Sequence, residues 1–524
     1  MMNYFRDNWK YLALLLVLGF ALIFWQLGQP SLWQGDEGIY GEIAREMHDS
    51  GNFITPHYNY APRFDKPPLY FWLTAISYKI FGINETIVRL WPALFGLSTV
   101  FLVFIMGSYL WHRKVGFIAA LIMLTSFQNV IQSRTAMMDT ALTFWLTLCV
   151  FFLLKWYREN NWGNFYLAAA TSGVAVLVKG PVGLLFPLVV MLIALLISKD
   201  VKRLLDKRVL VSAGIFLVVS VPWYLAAYLA NGAVFISDFF GYQNIARFTK
   251  AIEQHGAPWY FYILTLLVGL FPWCAFLPVL ARDKGEHQDK DTKFLKTFFW
   301  AWIVFIFVFF SFSQSKLPGY IFPVFPMLSL LLGAKLSALL DTKAWQALSR
   351  AGRGLILSGI VLYSLLAIVF SGVIYYVVNN VSPSESPLLL SSFQPLFWLL
   401  AGSAILGLFT FFKPKLSLIV IIGVQVIFFA ILLTTILPQT EKDKSINEIG
   451  RQLLQTMSAG QQIGQYKYVE PRAVFYSRHK IELLSDPESL KKYLSIPGRW
   501  VILDRADYLE MACTVLGDIH FKLE

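Results

Sequence analysis

The chain has 524 residues, 57% of them hydrophobic and only 15% charged, where a soluble protein carries about a quarter charged residues. That balance excludes a soluble globular enzyme and points to an integral membrane protein. The formal net charge of +12 does not signal nucleic-acid binding, because the basic residues fall in short loops between apolar runs, the pattern that orients membrane proteins.

The first apolar run, Tyr11 to Gly28, follows Arg6 and Lys10. It is long enough to span and no small-residue cleavage site follows, so it reads as a retained helix rather than a signal peptide. Further runs lie at 87–110, 115–132, 139–154, 164–178, 182–198, 209–230, 258–280, 297–313, 319–340, 355–378, 392–411 and 416–437. The expected fold is thus a polytopic α-helical membrane protein of about thirteen transmembrane helices, each near the roughly 20 residues a bilayer requires. With the N-terminus cytoplasmic, Arg113-Lys114, Lys199 to Arg208, Arg282 to Lys296 and Lys335 to Arg353 all fall in cytoplasmic loops, as the positive-inside rule expects. An odd number of spans then places the C-terminus outside.

The opposite face collects Asp36, Glu37, Asp65, Lys66, Asp139, Lys179, His255 and Lys316. The first outside loop, 29–86, shows helical spacing from Gly38 to Ser50 and from Leu69 to Phe81, read as amphipathic helices on the membrane surface. The expected transmembrane domain is 1–437. Charge rises over 438–524, where helices at 445–457 and 486–494 and strands at 481–484, 500–503 and 519–523 suggest a small outside α/β domain. Cys149, Cys274 and Cys513 have no disulfide or metal spacing and read as inert thiols.

Asp36-Glu37 is the most unusual feature. Either carboxylate beside the membrane can serve as a general base or bind a sugar, although Asp36 also suits the N-terminus of the next helix. Arg63 and Lys66 suit a phosphate, either a substrate's or a lipid headgroup's. Asp139 opens a helix and is a cap or a second acidic site. Lys316 is a lone cation on the sparsely basic face, and Tyr320 follows it as a hydrogen-bond donor or interfacial ring. Asp65, His255 and His479 are the one outside set that could hold a divalent metal, without supporting spacing. No nucleotide-binding GxxxxGK[ST] motif occurs.

The Asp36-Glu37 pair, the run Asp65-Lys66-Pro67-Pro68-Leu69-Tyr70-Phe71-Trp72 and the turn Met137-Met138-Asp139-Thr140 resemble bacterial polyprenol-phosphate-dependent glycosyltransferases of the GT-C fold. So do Gln254-His255-Gly256-Ala257-Pro258-Trp259-Tyr260 and Ser315-Lys316-Leu317-Pro318-Gly319-Tyr320. The nearest family is that of the aminoarabinose transferases that modify lipid A, within the protein-O-mannosyltransferase-like superfamily. The resemblance implies a sugar donor on undecaprenyl phosphate, an acceptor such as lipid A or another envelope glycolipid, inversion at the anomeric carbon, and an inner-membrane location. It implies catalysis by Asp36 with Glu37 and Asp139 in support, a lipid phosphate held by Arg63, Lys66, Lys316 and Tyr320, and no required cofactor. Pro67-Pro68 and the short C-terminal region look more like generic members than the aminoarabinose enzymes, which leaves the sugar and acceptor open. A flippase of lipid-linked sugars, a polysaccharide polymerase or ligase and a protein O-glycosyltransferase are the alternatives.

Overall fold

A computed structural model describes residues 2–33, 35–246, 257–281, 290–340, 342–380, 393–409, 413–440, 445–457, 461–504 and 507–508. The apolar runs coincide with helices, but these are not thirteen equivalent spans. Among the described residues, seven helices are long and apolar enough to cross a membrane, or nine if each of two bent pairs counts as one span. Three further apolar helices are shorter. The bends have local causes. α5 (Arg113–Thr125) and α6 (Phe127–Arg134) meet at 60° where Ser126 adopts an extended backbone. Phe261–Leu270 and Trp273–Ala281 meet at 111° around Phe271-Pro272, where proline cannot continue the hydrogen-bond ladder.

The N-terminal half builds the site. α1 (Met2–Gly19) runs into a short π-helical turn, Phe20–Phe24. α2 (Gly35–Ser50) is buried without interruption from Glu37 to Met47. It is therefore enclosed by protein, not resting one face on the membrane as its periodicity suggested. The hairpin of β1 (His57–Tyr58) and β2 (Ala61–Pro62) follows. α3 (Leu69–Phe81) keeps a two-sided character: Tyr70, Phe71, Ala75 and Tyr78 face inward, while Ile76, Ile80 and Phe81 are exposed. α4 (Glu85–Leu110), α7 (Asp139–Glu159), α8 (Trp162–Lys179), α9 (Val182–Ile197) and α10 (Arg208–Asn231) complete this half. α4 and α7 are mostly buried, and α10 is almost wholly outward-facing, as expected of a helix whose apolar residues meet lipid.

In the C-terminal region, β3 (Ile463–Tyr466) lies between β4 (Ile481–Leu484) and β5 (Trp500–Ile502), both pairings parallel. Helices Ser445–Thr456, Pro471–Ser477 and Pro487–Leu494 accompany the sheet. The sequence reading misses β3 and the helix Pro471–Ser477; its strand at 519–523 and Cys513 lie outside the described residues. Cys149 and Cys274 are buried free thiols.

This region docks on the back of α2. The Asn59 side chain, at the tip of the hairpin, accepts from Ile481 N at 2.9 Å and donates to Ile481 O at 2.8 Å. Tyr476 Oη accepts from Leu32 N at 2.8 Å, and Asn447 Nδ2 donates to Ser31 Oγ at 2.5 Å. Arg451 pairs with Glu85 at 2.8 Å. At the closest approach, a Cβ on Gly38 would lie 2.8–2.9 Å from the backbone of Pro471 and Arg472. Backbone cannot yield as a side chain can, so Gly38→Ala should lever the C-terminal region off α2 at a cost of about 1–3 kcal/mol. The expected outcome is faster proteolytic release of the C-terminal fragment, measured by a limited-digestion time course against wild type.

Candidate active site

Two adjacent residues on a helix point about 100° apart, and this separates Asp36 from Glu37. Asp36, in the first turn of α2, lines a small chamber of about 120 Å³. Glu37 turns away into the protein. Its carboxylate accepts from both Arg89 Nε and Arg89 Nη2 at 2.9 Å, from Trp33 N at 2.6 Å and from Ala136 N at 2.8 Å. Arg89 also donates to the carbonyl oxygens of Leu27, Pro30 and Ser31. Glu37 is thus not among the residues that line the chamber with Asp36, and its carboxylate is taken up by Arg89 and two backbone amides. One ion pair joins the end of the first span, the start of α2, α4 and the turn before Asp139. Burial would push the Glu37 carboxyl up, but Arg89 and the two backbone amides outweigh it and hold it below the ordinary value.

The chamber brings together Asp36, Arg63, Asp65, Lys66, Asp139 and Tyr320 from the sequence-predicted set, and adds Tyr40 and Lys179. Asp139 Oδ1 accepts from Lys179 Nζ at 2.5 Å. Lys179 also lies 4.7 Å over the Tyr320 ring. Arg63 Nε is 3.2 Å from Asp65 Oδ2, and its guanidinium sits 5.2 Å over the Tyr58 ring. Lys66 Nζ donates to Asp65 O at 3.0 Å. Gly319 is required here by close approach, since a Cβ would stand 2.7 Å from Asp139 Cγ. Tyr40 lies one turn beyond Asp36. Burial, together with the charges of Asp36, Asp65 and Asp139, raises its phenol well above the ordinary value, so it stays protonated and can donate.

Lys316 is not among the side chains lining the chamber. Its ammonium is buried and donates to Ser313 O at 2.5 Å. Lys179 does line the chamber; its position among the outside-face charges was the available signal. His479 Nδ1 is held at 2.5 Å from Ser477 O in the C-terminal region, and His255 lies outside the described residues. Among the described residues, no group of three His, Cys, Asp or Glu side chains could hold a metal.

Two grooves open from the chamber. The wider, about 830 Å³, reaches Asp36 and Asp139 along α6, Phe261–Leu270 and Leu317 to Gly319. The narrower, about 420 Å³, reaches Asp65, Lys66 and Lys179 past Phe239, Phe240, Phe309 and Phe310. Both walls are largely apolar, suited to lipid chains that deliver polar ends to the chamber.

Replacing Glu37 by Gln would leave the Arg89 guanidinium buried without its counter-charge, a loss of about 3–5 kcal/mol. Because the native carboxyl titrates below its ordinary value of 4.5, its contribution is present above that value and is lost as pH falls through the depressed native one. Thermal unfolding in detergent should therefore show a large drop for Glu37→Gln at neutral pH, and a smaller difference from wild type in acid.

Comparison with known proteins gives a consistent picture. The family model described as dolichyl-phosphate-mannose-protein mannosyltransferase matches residues 13–236, the stretch carrying Asp36, Arg63, Lys66, Asp139 and Lys179. The undecaprenyl phosphate-alpha-4-amino-4-deoxy-L-arabinose arabinosyl transferase 2 of Proteus mirabilis is 33% identical over 329 residues, 61% of this chain and 58% of that protein. The protein of the same name from Pseudomonas fluorescens is 32% identical over 68% of this chain and 65% of its own length. The chain thus spans about three-fifths of the length of the curated relatives it matches. The crystal structure of ArnT from Cupriavidus metallidurans, bound to undecaprenyl phosphate, superposes with a TM-score of 0.79 at 23% identity, covering 98% of this chain and 95% of that one. The chain has the GT-C fold of that protein, and in sequence it resembles polyprenol-phosphate-dependent glycosyltransferases of the aminoarabinose-transferase and protein-mannosyltransferase kind.

Proposed function

We propose that the protein is an inverting glycosyltransferase that moves a sugar from undecaprenyl phosphate to lipid A or another envelope glycolipid. The observation that carries this reading is the chamber, where Asp36 shares a small space with Lys66, Lys179 and Arg63 at the junction of two apolar grooves. The names of the curated relatives support the donor class.

In this reading, the chamber, the 29–86 loop and the C-terminal α/β domain from 438 onward face the periplasm. The N-terminus is cytoplasmic, and the short and bent apolar helices complete about thirteen crossings of the bacterial inner membrane. Donor phosphate sits against Lys66, Lys179 and Arg63. Negative charge on that phosphate grows as the anomeric C–O bond breaks, so cations fixed in a desolvated site stabilise the transition state more than the ground state. Tyr40 and Tyr320 are placed to donate hydrogen bonds to donor or acceptor oxygens. Asp36 approaches the anomeric carbon from the acceptor side, where it orients the nucleophile and takes its proton. Attack opposite the leaving phosphate inverts the centre. The donor linkage supplies the energy, so no nucleotide is needed at the site.

Asp36→Asn keeps the size of the side chain but removes the base. Transfer should fall by about 10²–10⁴-fold, while undecaprenyl phosphate still binds, as read by native mass spectrometry. A well-folded Asp36→Asn variant with full transfer would remove the catalytic role. No step of this mechanism is routed through a metal; transfer should persist after exhaustive EDTA treatment, and loss that divalent cations restore would reinstate the Asp65, His255 and His479 set.

A further inference from the structure

A third groove, of about 290 Å³, lies away from the chamber, between α9 and α10. Its floor is α8, which packs against both helices and contributes the small side chains of Ala168, Ala169 and Ser172. Leu188 and Leu192 on α9 and Ala213 on α10 line it and are exposed, so it opens sideways, toward the hydrocarbon of a membrane. From α9 it takes Leu184, Leu188 and Met191, whereas the narrow groove of the chamber takes Val182 and Leu185. The two grooves thus use different faces of that helix.

No charged side chain lines this groove, and its three polar ones donate to the backbone. Ser172 Oγ donates at 2.9 Å to Gly183 O, the carbonyl that Pro187 leaves without its helical donor. Ser212 Oγ donates to Arg208 O at 3.1 Å, and Cys149 Sγ to Ala168 O at 3.3 Å. A space of this chemistry accepts hydrocarbon and disfavours water; apolar cavities of roughly half the volume take benzene. One end of the groove reaches Leu204 and Val209, on either side of a basic turn. Residues 199–208 hold five lysines and arginines against two aspartates. Both acids are occupied, Asp200 by Lys290 and Tyr157 at 2.7 Å each and Asp206 by Arg208 at 2.6 Å. Lys202 and Lys207 are exposed on this rim, and Leu205 between them is 82% exposed. An apolar side chain so exposed among lysines fits a turn lying in the headgroup layer of a bilayer.

We propose that this groove holds one acyl chain of an anionic phospholipid, with the phosphate of its head group at Lys202 and Lys207. Hydrocarbon is what the groove favours, and an anionic head group is what its rim favours. A free phosphate would use only the rim, and a lipid without net charge would gain little there. The isoprenoid tail of undecaprenyl phosphate is matched instead to the narrow groove beside Lys66 and Lys179. The bound chain acts as a packing element. α10 is almost wholly outward-facing, and a chain lying between it and α9 bridges two helices that both rest on α8. α7 lines the groove with Cys149 and Leu153. α7 and α8 carry Asp139 and Lys179 at their far ends, so a filled groove also steadies the helices that present that pair. The proposed topology makes this rim cytoplasmic, so the phospholipid comes from the leaflet opposite the chamber. The site itself does not depend on the glycosyltransferase reading.

The test uses the full-length protein, delipidated in detergent, and native mass spectrometry. The probes are palmitoyl-oleoyl phosphatidylglycerol, phosphatidylethanolamine with the same chains, and undecaprenyl phosphate. Phosphatidylglycerol should bind saturably and at least about fivefold more tightly than phosphatidylethanolamine, the value of one lysine facing an anionic head group. Lys202→Gln with Lys207→Gln should erase that preference. Lys413→Gln with Lys415→Gln, which removes exposed cations of another loop, should leave it in place. Ala213→Phe fills the opening and should weaken both phospholipids about tenfold, the value of two buried methylenes, with undecaprenyl phosphate within about twofold of wild type. Leu188→Trp closes the same opening from α9 should Ala213→Phe fold poorly. Phosphatidylglycerol should also raise the unfolding temperature of wild type more than that of Ala213→Phe. Equal binding of the two phospholipids, equal loss with both lysine pairs, no effect of either groove variant, or weakened undecaprenyl phosphate binding in Ala213→Phe would overturn the proposal. Failure of the wild type to bind undecaprenyl phosphate would instead count against the glycosyltransferase reading alone.

Discussion

The site is organised around the buried ion pair of Glu37 with Arg89. Each charge loses several kcal/mol of hydration on burial, and the protein offsets this by giving both ions further partners. Glu37 accepts from Trp33 and Ala136, and Arg89 donates to three carbonyl oxygens of the segment 27–31. Three stretches distant in sequence, 27–37, Arg89 and Ala136, meet at this ion pair. Asp36 is the next residue along the backbone, so its direction follows from that anchor. Ala136 is three residues before Asp139, so the opposite wall of the chamber hangs from the same group. Moving either acid relative to the other would mean breaking this pair.

Electrostatic partition is the second organising element. Asp139 is tied to Lys179 and Asp65 to Arg63, which fixes where each cation can present itself. Lys66 and Lys179, with Asp65, line one groove, and the carboxylates of Asp36 and Asp139 line the other. A chamber that sets three carboxylates against three cations is thus polar across its width. Gly319 permits the Asp139 turn to press against the segment that follows Lys316, so the dividing wall is thin.

Much of this was legible in the sequence, and what was not has physical reasons. Apolar runs report that a segment resides in lipid or core, and they marked the helices; they do not report a break such as Ser126 in α5–α6 or the 111° turn near Phe271. One-sided placement of charges marked the residues that now line the chamber. Adjacency in sequence suggested that Asp36 and Glu37 act together, while helical rotation sends them to different environments. Arg89 was hidden because it opens an otherwise apolar run, where an ionisable residue always needs a named partner. For Lys316, composition could not show that a backbone carbonyl accepts from its ammonium. Tyr40 had no motif to announce it; its place one turn from Asp36 was the available clue.

The docking of the C-terminal region bears on how such proteins can diversify. The Asn59 clamp, the Tyr476 and Asn447 contacts and the tight passage at Gly38 all fall on the backbone that carries Asp36 or leads to Arg63 and Lys66. The region is therefore not an independent appendage that recombination can exchange freely. A chimera that imports a foreign C-terminal segment would have to import the matching α2 and hairpin with it, so the reaction centre and its cover are inherited as one unit, while the outward-facing spans remain free to drift.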